Sequence, residues 1–110
     1  MRLKSRILVP AVVLAACATA ALAAPPSMST RWANMTLSTD ACVAKARRAV
    51  RAEGFTKGFE VVSTTVFGER GDYTAAVRCA VDKEIVFFVV AGPNAKRSSD
   101  YNAAIAGHFE

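Results

Sequence analysis

The chain has 110 residues, 53% hydrophobic and 21% charged, with 14 basic and 9 acidic side chains and a formal net charge of +5. That length holds one small domain. The basic excess sits mainly in the amino-terminal segment, and the balance left without it is too small for the concentrated basic stripe of a nucleic-acid binder.

Residues 1–23 read as an export signal. Arg2, Lys4 and Arg6 make a positive start, an apolar run extends from Ile7 to Ala18, and Ala21-Leu22-Ala23 forms a small-residue cleavage site ahead of Pro25 and Pro26. Cleavage after Ala23 leaves 87 residues (110 − 23) with a formal charge of +2, because three of the 14 basic residues and none of the 9 acidic ones lie in the segment. The sequence pI near 9.5 therefore overstates the basicity of the mature chain. A second route competes. Leu14-Ala15-Ala16-Cys17 fits the bacterial lipobox, in which Cys17 is lipidated and cleavage falls just before it. The apolar stretch Ala18–Ala24 departs from the polar start usual in lipoproteins. A retained anchor is a third route, but Ile7–Ala24 contains Pro10 and is rich in weakly apolar alanine, which is marginal for spanning. On every route the domain is delivered across the membrane.

Domains of this size bury only about 60–65% of their unfolded surface and often need a staple. With Cys17 in the signal, Cys42 and Cys79 remain, 37 positions apart. Two cysteines in a small exported domain most simply pair. The competing reading is two buried free thiols packed as small hydrophobes.

Residues 24–30 read as a flexible leader, and 31–110 as a single small α+β domain. Arg31 to Leu37, with Trp32, Met35 and Leu37, suits a short first strand. Ser38, Thr39 and Asp40 are N-cap residues that introduce a helix running to about Glu53, where Gly54 stops it. At roughly 100° per residue, Cys42, Val43, Ala46, Ala49 and Val50 share one face, and Lys45, Arg47, Arg48 and Arg51 the other. Phe59 to Phe67 is rich in β-branched and aromatic residues and reads as one strand. The cluster Gly68–Asp72 is a turn. Tyr73 to Val81 alternates, with Tyr73, Ala75, Val77, Cys79 and Val81 on one side. After a tight connection at Asp82-Lys83, Ile85 to Ala91 is a continuous apolar run suited to a central strand, ended by Gly92-Pro93-Asn94. A loop through Lys96 and Arg97 leads to a second cap at Ser98-Ser99-Asp100. The last helix, about Asp100 to Phe109, puts Tyr101, Ala104, Ile105 and His108 on one face. The order (β)αβββα predicts a three- to four-stranded, mostly antiparallel sheet with two helices packed on one face. Helix and strand periodicities aim Cys42 and Cys79 at the same interface, the strongest structural argument for their bond.

The residues offer little chemistry. His108 is the one histidine and lies near the end, where a helix-terminal role is the ordinary one. One histidine and two paired cysteines do not make a zinc site. Asp82 with Glu84, and Glu69 with Asp72, are turn residues, and no phosphate-cradling glycine motif occurs. We expect no catalytic residue, no cofactor and no metal. The basic helix face of Lys45, Arg47, Arg48 and Arg51 is either a solvated surface or a contact for anionic headgroups or an acidic partner. The side of the sheet away from the helices is expected to show Val62, Thr64, Val66, Ala76, Arg78, Val86, Phe88 and Val90. Within it Val62, Val66, Arg78, Phe88 and Val90 make an apolar interaction face, unless the amino-terminal segment or the last helix covers it.

The segments Thr39-Asp40-Ala41-Cys42, Val77-Arg78-Cys79 and Val89-Val90-Ala91-Gly92 resemble those of small exported bacterial α/β proteins of uncharacterised function. That resemblance implies compartment and fold, and no activity. The expected function is an exported, periplasmic or secreted, disulfide-stabilised binding module without a catalytic centre. It would self-associate or dock on another protein, with no nucleic acid. The alternatives are a small envelope enzyme or hydrolase inhibitor, and an outer-envelope lipoprotein held through Cys17 that touches the membrane by its lipid or its basic helix.

Overall fold

The computed structural model describes residues 24–110. The expected signal segment, with Cys17, lies outside the described residues. Seven main elements follow in order: β1 (Ser27–Asn34), α1 (Thr39–Ala52), β2 (Lys57–Val62), β3 (Thr65–Arg70), β4 (Tyr73–Ala80), β5 (Ile85–Gly92) and α2 (Ala95–Gly107), with a 3-10 turn Val81–Lys83 before β5. The five strands form one antiparallel sheet in the order β1-β5-β4-β3-β2. Strands β2 to β5 are a meander. Strand β1 completes the sheet at the far edge, so α1 carries the chain across from one edge to the other.

Both helices lie on one side of the sheet, α1 against β3 and β4, α2 against β1 and β5. Helix α1 starts where the Ser38 Oγ accepts the Ala41 N–H at 3.2 Å. It ends at Gly54, whose φ of +85° only glycine adopts freely. Its inward face is Cys42, Ala46, Ala49 and Val50, all buried. These small side chains bring the helix close to β3. At Gly68 an added Cβ would collide with the Phe55 carbonyl and come within 2.8 Å of the Val50 Cγ1. The core between sheet and helices contains Phe55, Val66, Val77, Val86, Phe88, Val90 and Ile105. Phe55 and Tyr73 each meet Tyr101 of α2 edge-on, at ring separations of 5.3 and 5.2 Å.

Helix α2 is tied to β1 by polar groups. Ser27 donates its Oγ–H to the Gly92 carbonyl at 2.7 Å and lies 2.9 Å from the Ser98 Oγ. The buried Asn102 donates from Nδ2 to the Ser29 carbonyl at 3.0 Å. At the other end of the helix pair, His108 Nε2 sits 2.7 Å from the Glu53 carboxylate.

The α+β class and the one-sided helices are as the sequence predicts, and five details differ. The expected turn Gly68–Asp72 shrinks to Gly71-Asp72, because Gly68, Glu69 and Arg70 pair with Ala75, Thr74 and Tyr73 within the β3–β4 ladder. The sheet has five strands, because the run Phe59–Phe67 folds back on itself at Ser63-Thr64, with Ser63 at φ +56°. Strand β1 spans Ser27–Asn34, takes in four residues of the expected leader 24–30 and leaves out Met35 to Leu37 of the expected strand. Strand β4 stops at Ala80, so Val81 belongs to the turn. Helix α2 starts at Ala95 and not near Asp100, capped by the Asn94 Oδ1, which accepts the Arg97 N–H at 2.9 Å.

Candidate functional site: the open face of the sheet

Cys42 on α1 and Cys79 on β4 are disulfide-bonded, with Cα atoms 6.1 Å apart. The bond joins the middle of the covered face to the helix above it. It leaves the opposite face of the sheet free of any covering element among the described residues.

The pairing fixes which side chains that open face carries. Directly opposed residues in an antiparallel sheet point the same way. One row crosses all five strands as Trp32, Phe87, Arg78, Thr65 and Val62. The next reads Thr30, Val89, Ala76, Phe67 and Glu60. Beyond it lie Met28, Ala91, Thr74 and Glu69. Met28 is 70% exposed, Trp32 63%, Val62 53% and Phe87 37%. Phe67, Val89 and Ile85 are half-buried beside them. The centre of the face is therefore aromatic and aliphatic, and its acidic residues, Glu60 and Glu69, sit toward the β2 edge.

Arg78 is the exception in the middle. Its cross-strand neighbours are Phe87 and Thr65. Two ion pairs occur among the described residues, Lys96–Asp100 and His108–Glu53, so the Arg78 guanidinium has no carboxylate partner. An exposed cation in a mainly apolar surround suits an incoming carboxylate, because that surround limits competing water once the face is covered.

The expected interaction face is corrected in part. Val62 and Arg78 do lie on the open side. Val66, Phe88 and Val90 are buried in the core beneath the helices, and so is Val86. The reason is register. Two-residue turns join β3 to β4, and a four-residue connection joins β4 to β5, so even-numbered residues of one strand oppose odd-numbered residues of the next: Val66 faces Val77, and Phe88 also faces Val77. A one-residue change of phase exchanges the two faces. The aromatic half of the face, Trp32 and Phe87, was missed for the same reason. Both were legible as members of apolar segments, but their parity was not.

The basic face of α1 is split. Lys45 lies over the Phe109 ring at 5.6 Å and Arg51 over Phe59 at 4.0 Å, each capping an aromatic at one flank of the helix. Arg47 and Arg48 remain exposed, in a shallow concavity shared with Asp40 and Val43. Among the described residues no group of three His, Cys, Asp or Glu side chains is placed to hold a metal, and no helix is long and apolar enough to cross a membrane. Comparison with known proteins finds no matching family model, no similar curated protein and no similar solved structure.

Proposed function

We propose that this protein is an exported, disulfide-stabilised interaction module that binds a protein partner through the open face of its sheet. The observation that carries this reading is the row Trp32–Phe87–Arg78–Thr65–Val62, a mainly apolar band with one unpaired cation, on a sheet whose other face holds both helices. Contiguous exposed apolar surface of this kind marks binding sites in soluble proteins. The partner is an apolar protein surface carrying a carboxylate for Arg78. The Cys42–Cys79 bond supports delivery to an oxidising compartment, in keeping with the signal-like residues 1–23.

Trp32 is the single tryptophan and lies at the β1 margin of this face, so its fluorescence is read together with binding to the Phe87→Asp variant. The exported protein is used as bait against the envelope fraction of its host, beside a Phe87→Asp variant. A purified partner is expected to blue-shift Trp32 emission, to protect it from iodide quenching, and to lose binding to Phe87→Asp. A partner that binds both proteins equally and leaves Trp32 emission unchanged refutes the assignment.

A further inference from the structure

The two edges of the sheet are unlike. Natural sheets protect their edges with bulges, charges and short strands, because an unprotected edge templates another strand. Strand β2 is protected: its register with β3 shifts between Lys57 and Glu60, Gly58 sits at φ +55°, and it carries both charges. Strand β1 has little of this. It is eight residues long, runs in unbroken register from Ser27–Gly92 to Asn34–Ile85, and carries one charge, Arg31.

The outward backbone groups of β1 can be identified. Met35 donates its N–H to the Glu84 carbonyl at 2.9 Å, one step beyond the Asn34–Ile85 pair. Bonded and non-bonded pairs alternate along an antiparallel ladder. Ser27, Ser29, Arg31 and Ala33 therefore bond to β5, and Met28, Thr30 and Trp32 point their N–H and C=O groups away from it.

We propose that two copies of this domain pair antiparallel along β1, with Thr30 on the twofold axis, to form one continuous ten-stranded sheet. The side chains suit a second copy in this register and disfavour one centred on Arg31. A twofold that keeps the faces continuous must pass through a residue pair. Centred on Thr30, it sets Met28 opposite Trp32 of the second copy on the open side, twice by symmetry, a favourable sulfur–aromatic contact. On the helix side it sets Arg31 opposite Ser29. Centred on Arg31, it would oppose two guanidinium groups, which is unfavourable. The outward groups of Met28, Thr30 and Trp32 then exchange about six N–H···O=C bonds across the seam.

The helices fit the same arrangement. Tyr101 and His108 of α2 face Phe55 and Glu53, just past the end of α1, while Ser98 and Asn102 face the sheet. At roughly 100° per residue the flank toward the free edge is Ser99, Ala103 and Ala106, all small. A helix riding over β1 and β5 lies roughly 10 Å from its copy when strands are spaced about 4.8 Å, close to ordinary helix packing distance. This inference rests on the backbone edge of β1, and its Met28–Trp32 contacts touch only the β1 margin of the open face.

Sedimentation equilibrium of the exported protein tests it. A dimer is expected. Thr30→Pro removes an outward N–H without touching the ladder to β5 and is expected to weaken the dimer about 100-fold, given the lost bonds and stranded carbonyls. Under oxidising conditions Thr30→Cys is expected to give a covalent dimer, because residue 30 meets itself, whereas Met28→Cys does not. These cysteine variants decide the matter if the proline variant fails to fold. A monomer at millimolar concentration overturns the proposal. So does a dimer insensitive to Thr30→Pro and dissociated by Phe87→Asp, a result that would leave the open face as the binding site.

Discussion

Removing the Cys42–Cys79 bond should bring this domain close to its stability limit. The bond closes a loop with a sequence separation of 37. In the chain-entropy model that closure stabilises the fold by about 4 kcal/mol. A domain of this length has a total stability of about 4–13 kcal/mol, at roughly 0.05–0.15 kcal/mol per residue. The bond therefore supplies between a third and nearly all of it. At about 4–8 °C per kcal/mol for a domain of this size, the melting temperature should fall by roughly 15–30 °C.

The assay is thermal and urea unfolding of the oxidised protein, the reduced protein and a Cys42→Ala/Cys79→Ala double variant. Both sulfurs are buried, at 0% and 2% exposure, so the alanine variant also loses packing and the reduced protein separates the two effects. The urea m-value should rise on reduction, because an uncrosslinked unfolded chain exposes more surface. A loss of less than about 5 °C in both forms, with an unchanged m-value, would refute the reasoning. It would mean that Ala46, Ala49 and Val50 alone hold α1 to the sheet.

Three further changes test the packing between the helices and the sheet. Gly92→Ala drives a Cβ into the ring of Tyr73, and Gly68→Ala drives one into the Phe55 carbonyl, so each should cost at least about 2 kcal/mol in urea unfolding. Asn102→Ala removes the donor to the Ser29 carbonyl and should cost about 1–3 kcal/mol. Amide exchange should then accelerate in β1 before the rest of the sheet.

The sequence made some elements legible because a single local signal decided each of them. The Ser38 cap and the Gly54 stop bound α1 at both ends, and the alternation through Tyr73–Ala80 placed Cys79 on the covered side. The β2–β3 hairpin was hidden because Ser63-Thr64 lacks the glycine or asparagine that usually announces a tight turn. The β-branched run simply continues through it. Strand β5 is apolar at every position but its terminal Gly92, so nothing local says which of Phe87 and Phe88 faces the helices. That choice belongs to its pairing with β4. The start of α2 was misplaced because Lys96 and Arg97 read as loop, although the Asn94 cap was present in the sequence. The candidate site was thus legible as an apolar face containing Arg78 and Val62, while its aromatic residues were assigned only by register.

Every device that holds this small domain together lies on one side of the sheet. The disulfide joins α1 to β4, the Phe55–Tyr101–Tyr73 cluster joins α2 to the sheet, and Ser27, Ser98 and Asn102 fix β1 beneath α2. The open side contributes only cross-strand contacts. Polar side chains at Met28, Trp32, Val62 and Phe87 would satisfy the ladder equally well and avoid the cost of apolar surface in water, about 25 cal/mol per Å². The fold does not require these residues to be apolar, whereas a partner covering the face, as proposed, would. A second layer on that face would complete a three-layer arrangement with the sheet in the middle. Arg78, unpaired at the centre, would then demand a carboxylate from whatever supplies the layer, since an uncompensated buried charge is strongly destabilising.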